Sequence, residues 1–212
     1  MSVRGRVIAA AACLAVAAPV AGAAVIGGTP NPDKLFGTKR ADVISGGAGG
    51  DLIDGFRGND LLSGEAGADL VIGGRGADTL LGGSEGDTLY GGRAGDVVLG
   101  QAGDDVIEGG RGPDLLVGGS GNDRIRGNQG NDDLYAGAGE DILLGGRGND
   151  RLFSRAPDGQ VDILVCGPGQ DAAFARPEDV VDPSCERVVR VTGAENDPGD
   201  ADTPPPAEPP TT

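Results

Sequence analysis

The side chains with chemistry to offer are aspartates, and they return at a fixed distance. From Asp42 an aspartate recurs every nine positions through Asp51, Asp60, Asp69, Asp78, Asp87, Asp96, Asp105, Asp114, Asp123, Asp132 and Asp141 to Asp150. Carboxylates repeated at one period are hard oxygen ligands, suited to a hard cation. Histidine is absent from the 212 residues, which excludes Ser-His-Asp and Cys-His nucleophiles and the usual zinc ligands. With 33 acidic and 17 basic residues the formal charge is −16. No net basic field exists to recruit nucleic acid or an anionic membrane, and a cationic partner fits better.

The elements that must position these aspartates follow from what surrounds them. Each is the sixth residue of a nonapeptide G-G-x-G-x-D-x-U-x, and thirteen such units run without insertion from Gly37 to Phe153. The eighth residue, U, is Ile, Leu or Val throughout, from Ile44 to Leu152. The clearest copies begin at Gly46, Gly118 and Gly145. A glycine-rich hexapeptide makes a turn with positive φ and close backbone approach, and x-U-x makes a three-residue strand whose centre points inward. Glycine contributes 42 residues and aromatics only 3%, so an aromatic-rich core is excluded and a repeat array is predicted.

This nonapeptide resembles that of the repeat-in-toxin (RTX, haemolysin-type) calcium-binding family, over Gly37 to Phe153. The resemblance implies an all-β fold, a right-handed parallel β-roll (a solenoid) with two nonapeptides per coil. It also implies calcium between turns stacked on one edge, held by sixth-position aspartates and turn carbonyls. The expected ligands are Asp51, Asp60, Asp69, Asp78, Asp87, Asp96, Asp105, Asp114, Asp123, Asp132, Asp141 and Asp150. Asp42 is left out because its turn, Gly37-Thr38-Lys39-Arg40-Ala41, lacks two glycines. Glu85 and Ala94 at the fourth position and Ala136 at the first are further departures.

The third position supports the two-unit coil independently. Lys39, Arg57, Arg75, Arg93, Arg111, Gln129 and Arg147 occupy it in alternate units, with Ala48, Ala66, Ser84, Ala102, Ser120 and Ala138 between them. One edge is basic and the other small. Stacked carboxylates about 4.8 Å apart repel by roughly 3.5 kcal/mol at an effective dielectric of 20. Calcium, which accepts six to eight oxygens in flexible geometry, relieves that repulsion better than the smaller magnesium. Sharing between every same-edge pair of turns would allow at most eleven ions. The competing reading of the aspartates is metal-free capping of their own turns.

The ends carry different signals. Arg4 and Arg6, the apolar run from Val7 to Pro19 and Ala21-Gly22-Ala23 predict a secretory signal over 1–24, the alternative being an uncleaved anchor. Cys13 leaves with that signal, and loss of the two arginines leaves 15 bases against 33 acids. A lead-in spans 25–36, the β-roll 37–153, a C-terminal cap 154–192 and an acidic, proline-rich, disordered tail 193–212. The cap resembles the cysteine-paired end of secreted actinobacterial proteins of this repeat family. Cys166 and Cys185, an even set in an oxidising location, are expected to form a disulfide worth about 3 kcal/mol.

The expected function is that of a secreted, extracellular, non-catalytic protein that binds several calcium ions and folds on binding them. Lead-in and cap leave no room for a catalytic domain, and no membrane contact is expected once the signal is cleaved. One alternative is a calcium-dependent adhesin or matrix protein on an anionic cell-surface polymer. Another is a calcium-dependent polysaccharide lyase, which would need longer rungs with side-chain-bearing loops. The arginine column either grips such a polymer or offsets the adjacent acids, and the negative field favours the second. Outward aliphatics, among them Leu52, Leu61, Leu70, Ile72, Leu81, Val97, Leu99, Leu115, Val117, Ile142 and Leu144, predict self-association, a partner face, or cover by the terminal segments.

Overall fold

In the computed structural model, which describes residues 22–191, the chain winds between two parallel sheets. Successive strands alternate between them. One sheet has ten strands, from Val25–Gly27 to Arg187–Arg190, and the other nine, from Lys34–Phe36 to Val180–Val181. The fold is an all-β parallel solenoid of about nine coils, with no helix among the described residues. Ile44 pairs with Leu62 and Leu62 with Leu80, so each coil consumes two nonapeptides. The same register sets Arg75 beside Arg93 and Ala66 beside Ser84, which separates the basic and small edges.

The core is the U column of each sheet. Every U side chain from Ile53 to Leu152 is fully buried, and Ile44 nearly so. Each such burial contributes about 1.5–3 kcal/mol before the ordering entropy of the glycine-rich turns is set against it. The outward aliphatics differ from the surplus of open apolar surface that the sequence predicts. Leu52, Leu61, Leu70, Leu115 and Val117 are half-buried, because side chains one strand apart cover each other's flanks. Open apolar surface lies instead at Phe36, Phe56, Tyr90 and Val106, and towards the C-terminus at Val161, Ile163, Val180 and Val188.

Two glycines illustrate why the turns need them. At Gly76 φ is +129°, and a Cβ would run into the Gly58 carbonyl of the neighbouring coil. At Gly46 a Cβ would lie 2.5 Å from Asp51 Oδ2 and 2.7 Å from the Gly64 carbonyl oxygen. Phe56, Glu65, Glu85, Ala94, Gln101 and Asn128 hold positive φ with side chains attached, a conformation costing about 1–2 kcal/mol per residue.

The two sheets continue past both ends of the thirteen units. Val25–Gly27 pairs with the strand at Val43, and Lys34–Phe36 with the strand at Leu52. Beyond Phe153 the step lengthens and then shortens: Ile142 pairs with Ile163 and Arg151 with Ala172, then Ile163 with Val180 and Ala172 with Arg187. A disulfide joins Cys166 to Cys185, with Cα atoms 5.1 Å apart. The predicted tail, and the signal except its last three residues, lie outside the described residues.

Candidate metal centre

Parallel register turns the period of nine into two columns of buried carboxylates. Asp42, Asp60, Asp78, Asp96, Asp114, Asp132 and Asp150 follow one edge, and Asp51, Asp69, Asp87, Asp105, Asp123 and Asp141 the other. None is more than 4% exposed. Each column is a hydrogen-bonded ladder in which an aspartate backbone N–H donates to Oδ1 of the aspartate one coil further on. Asp51 N–H donates to Asp69 Oδ1 at 2.7 Å, Asp96 to Asp114 at 2.8 Å and Asp132 to Asp150 at 3.0 Å.

The second oxygen has no such partner. In all twelve expected ligands, Asp51 through Asp150, Oδ2 is buried and receives no hydrogen bond, and the same holds for Asp171. At Gly46, Gly55, Gly64, Gly73, Gly82, Gly91, Gly100, Gly118, Gly127 and Gly145 it faces the Cα of the first glycine of its own turn, close to a carbonyl oxygen of the next coil, whereas the turn of Asp141 begins with Ala136. The slot beside Gly145 has Asp150 Oδ2 and the Cys166 carbonyl oxygen each 2.6 Å from where a Cβ would sit. A buried, ionised, unpaired oxygen is costly by several kcal/mol.

The protonation of the columns registers that cost. Burial, opposed by the N–H bond to Oδ1 and reinforced by charged neighbours, raises Asp141 to about 8. The same causes raise Asp60, Asp87, Asp114, Asp123 and Asp132 to about 7. Asp96, Asp105 and Asp150 rise to about 6, and Asp69 and Asp78 also rise, burial being the largest cause in each. Without a cation the columns therefore hold protons well above the usual carboxylate range.

These donors fit calcium. The donor set is a bare carboxylate oxygen with a backbone carbonyl oxygen beside it, repeated along both edges, with no nitrogen or sulfur among them, and hard oxygen sets select hard cations. No group of three or more His, Cys, Asp or Glu side chains able to hold a metal occurs among the described residues. A bound ion would draw on backbone carbonyls for part of its shell.

The aspartates that close the columns behave differently. Asp42 Oδ2 accepts the Thr38 N–H at 2.5 Å, and Asp33 Oδ2 accepts the Thr29 N–H and hydroxyl at 2.7 and 2.8 Å. At the other end the Ser154 hydroxyl lies 2.5 Å from Asp162 Oδ2 and 2.8 Å from Asp179 Oδ2, which also accepts the Arg176 N–H at 2.6 Å. Sequence reasoning overlooked Asp33, Asp162, Asp171 and Asp179. The available signal was aspartate two residues before an apolar side chain, as in Asp33-Lys34-Leu35 and Asp162-Ile163-Leu164. It also overlooked a second ladder outside the first, in which fifth-position asparagines cap the next coil. Asn122 Oδ1 accepts the Glu140 N–H at 2.9 Å, and Asn131 Oδ1 the Asn149 N–H at 2.8 Å.

Comparison with curated proteins finds no match. The family model of the RTX calcium-binding nonapeptide repeat matches four times, at residues 27–62, 57–80, 81–116 and 117–152, together more than half of the 212 residues. The first match takes in Gly28 to Phe36, where glycine is scarce but aspartate and leucine hold their places. The matches span all twelve repeat turns whose aspartate keeps a bare Oδ2, and the chain belongs to the family of RTX calcium-binding nonapeptide repeat proteins.

Proposed function

We propose that this is a secreted, non-catalytic calcium-binding protein that takes up several ions along both edges of its roll and orders as it does so. Asp51 through Asp150 would hold the ions through Oδ2, together with carbonyl oxygens of the glycine turns. The observation that carries this reading is the unbroken row of buried, unpartnered Oδ2 atoms. Calcium supplies the positive charge that offsets carboxylate repulsion along each column. The unfolded chain has no preformed site, so binding free energy becomes folding free energy. The apolar, arginine-led N-terminal segment and the Cys166–Cys185 bond support export to an oxidising compartment. Calcium at about millimolar concentration would then suffice for an extracellular module.

The test is far-UV circular dichroism of the chelated chain during calcium titration, with magnesium in parallel and ion uptake measured by calorimetry. The reading predicts a cooperative gain of β-signal with calcium, several ions bound per chain, and little response to magnesium. A chain fully ordered in chelator and indifferent to calcium would contradict it.

A further inference from the structure

The two edges of the roll differ in what stands outside their aspartate columns. On one edge the third turn position carries Lys39, Arg57, Arg75, Arg93, Arg111 and Arg147, interrupted once by Gln129, and all are exposed. Strand register places successive members directly beside each other, Arg57 by Arg75, Arg75 by Arg93 and Arg93 by Arg111. The first five positions of these turns contain no acid. The turns of the opposite edge carry Glu65, Glu85, Asp104 and Glu140, and no base.

Neutralising the inner carboxylates does not account for this segregation. Both edges have an aspartate column, and the edge with the additional acids is the one without arginine. Of the ion pairs among the described residues, Arg126 with Glu108 lies on the strands that end at Arg111 and Gln129, Arg151 with Asp133 lies elsewhere, and none of the column's five arginines takes part. The result is a straight rail of unpaired guanidinium groups spaced by about one strand separation, ~4.8 Å.

A second feature stands at one end of the rail. Phe36 and Phe56 stack with ring centroids 6.0 Å apart, each about half exposed, beside Lys39 and Arg57. Exposed Tyr90 lies on the strand that ends at Arg93. The nearby acids are engaged, since Asp54 accepts the Phe56 N–H and Glu108 pairs with Arg126.

We propose that this edge binds a linear polysaccharide bearing one carboxylate per sugar. Successive carboxylates lie along the arginine rail and a ring face stacks on the Phe36–Phe56 pair. Guanidinium forks match carboxylate geometry. An open aromatic pair accepts the apolar face of a sugar ring, which inorganic polyphosphate does not offer. The proposal rests on the calcium-ordered roll, because only the coiled chain brings the arginines into register and only loaded columns leave the outer field positive.

The test uses the full chain in calcium and a short oligogalacturonate, below the length that gels with calcium, titrated by calorimetry. Its methyl ester and inorganic polyphosphate serve as controls. The expected result is binding of the free acid and not of the ester. Affinity falls about 100-fold in the combined variant Arg57→Gln, Arg75→Gln, Arg93→Gln and Arg111→Gln. In Phe36→Ser it falls about 5-fold for the uronate and not for polyphosphate. Circular dichroism and calcium uptake on the same samples separate the two ideas: their loss points to the roll, whereas lost uronate binding with both intact belongs to the rail. Unchanged affinity in the four-arginine variant, equal binding of the ester, or tighter arginine-dependent binding of polyphosphate would each overturn the proposal. So would self-association of the loaded chain that the four-arginine variant abolishes, because the acidic edge of a second copy would then be the occupant.

Discussion

Between Asp51 and Asp150 every column aspartate keeps one oxygen without a donor, whereas past Ser154 the carboxylates of Asp162 and Asp179 have protein partners for the same atom and Asp171 keeps it bare. The C-terminal coils hold two further supports, a cross-link and an aromatic stack that starts in the last units of the array. Cys166 and Cys185 tie successive turns together, and Tyr135, Phe153 and Phe174 form a stack with centroids 4.5 and 4.8 Å apart. The same coil is thus stabilised in two ways. On the proposed reading an ion from outside supplies the missing interactions in the array, whereas in the last coils a hydroxyl, a covalent cross-link and aromatic contact supply them. Burial raises the Asp162 carboxyl, opposed by its bond from the Ser154 hydroxyl and the Asp141 N–H.

The largest expected difference between the regions is their response to chelation. Hydrogen exchange of the full chain with and without calcium should reveal orders of magnitude of lost protection over 46–153 and a much smaller change over 162–190. Equal loss in both regions would erase the distinction. Next in size is the pH response of the array. The pKa values of its column aspartates from Asp60 to Asp150 are raised above the unfolded value, so their stabilising contribution is complete below about pH 4 and is lost as pH climbs through about 6 to 8. In chelator the denaturation midpoint should therefore fall from pH 4 to pH 8. In calcium it should rise over the same range, because protons compete with the ion.

Smaller effects belong to the C-terminal coils. Replacing both cysteines, Cys166→Ala with Cys185→Ser, should cost about 3 kcal/mol in denaturant unfolding while leaving the number of bound ions unchanged. Ser154→Ala should cost about 1–3 kcal/mol by removing the hydroxyl from two buried carboxylates, with its effect undiminished by calcium. The smallest change is a gain. Ala94→Gly relieves a positive φ of 87° and should raise the loaded roll's stability by about 1 kcal/mol, measured by thermal unfolding in calcium.

The array was legible because two columns never slip: aspartate at the sixth position and an aliphatic at the eighth fix turn, strand and inward face together. The lysine and arginine alternation at position three gave the two-unit coil, which the pairing of Arg75 with Arg93 bears out. The first coil was hidden because Thr29, Pro30, Asn31 and Pro32 stand where glycines would mark a turn. The last coils were hidden because their turns vary in length, so Ile163 and Val180 fall off the period of nine although they stack on the same ladder. The bare Oδ2 atoms could not be read from the sequence at all. The departing turn Gly37-Thr38-Lys39-Arg40-Ala41 set Asp42 apart from Asp51, but not the physical reason, which is the donor from Thr38.

On the proposed reading the cation sits at the unpartnered oxygens of the array. Anomalous diffraction from crystals grown in calcium addresses it directly. The account predicts peaks in the turns between stacked coils, within coordination distance of Oδ2 in the run from Asp51 to Asp150, and none at the Ser154 cluster. Crystals saturated with calcium whose array turns carry no anomalous density would contradict it.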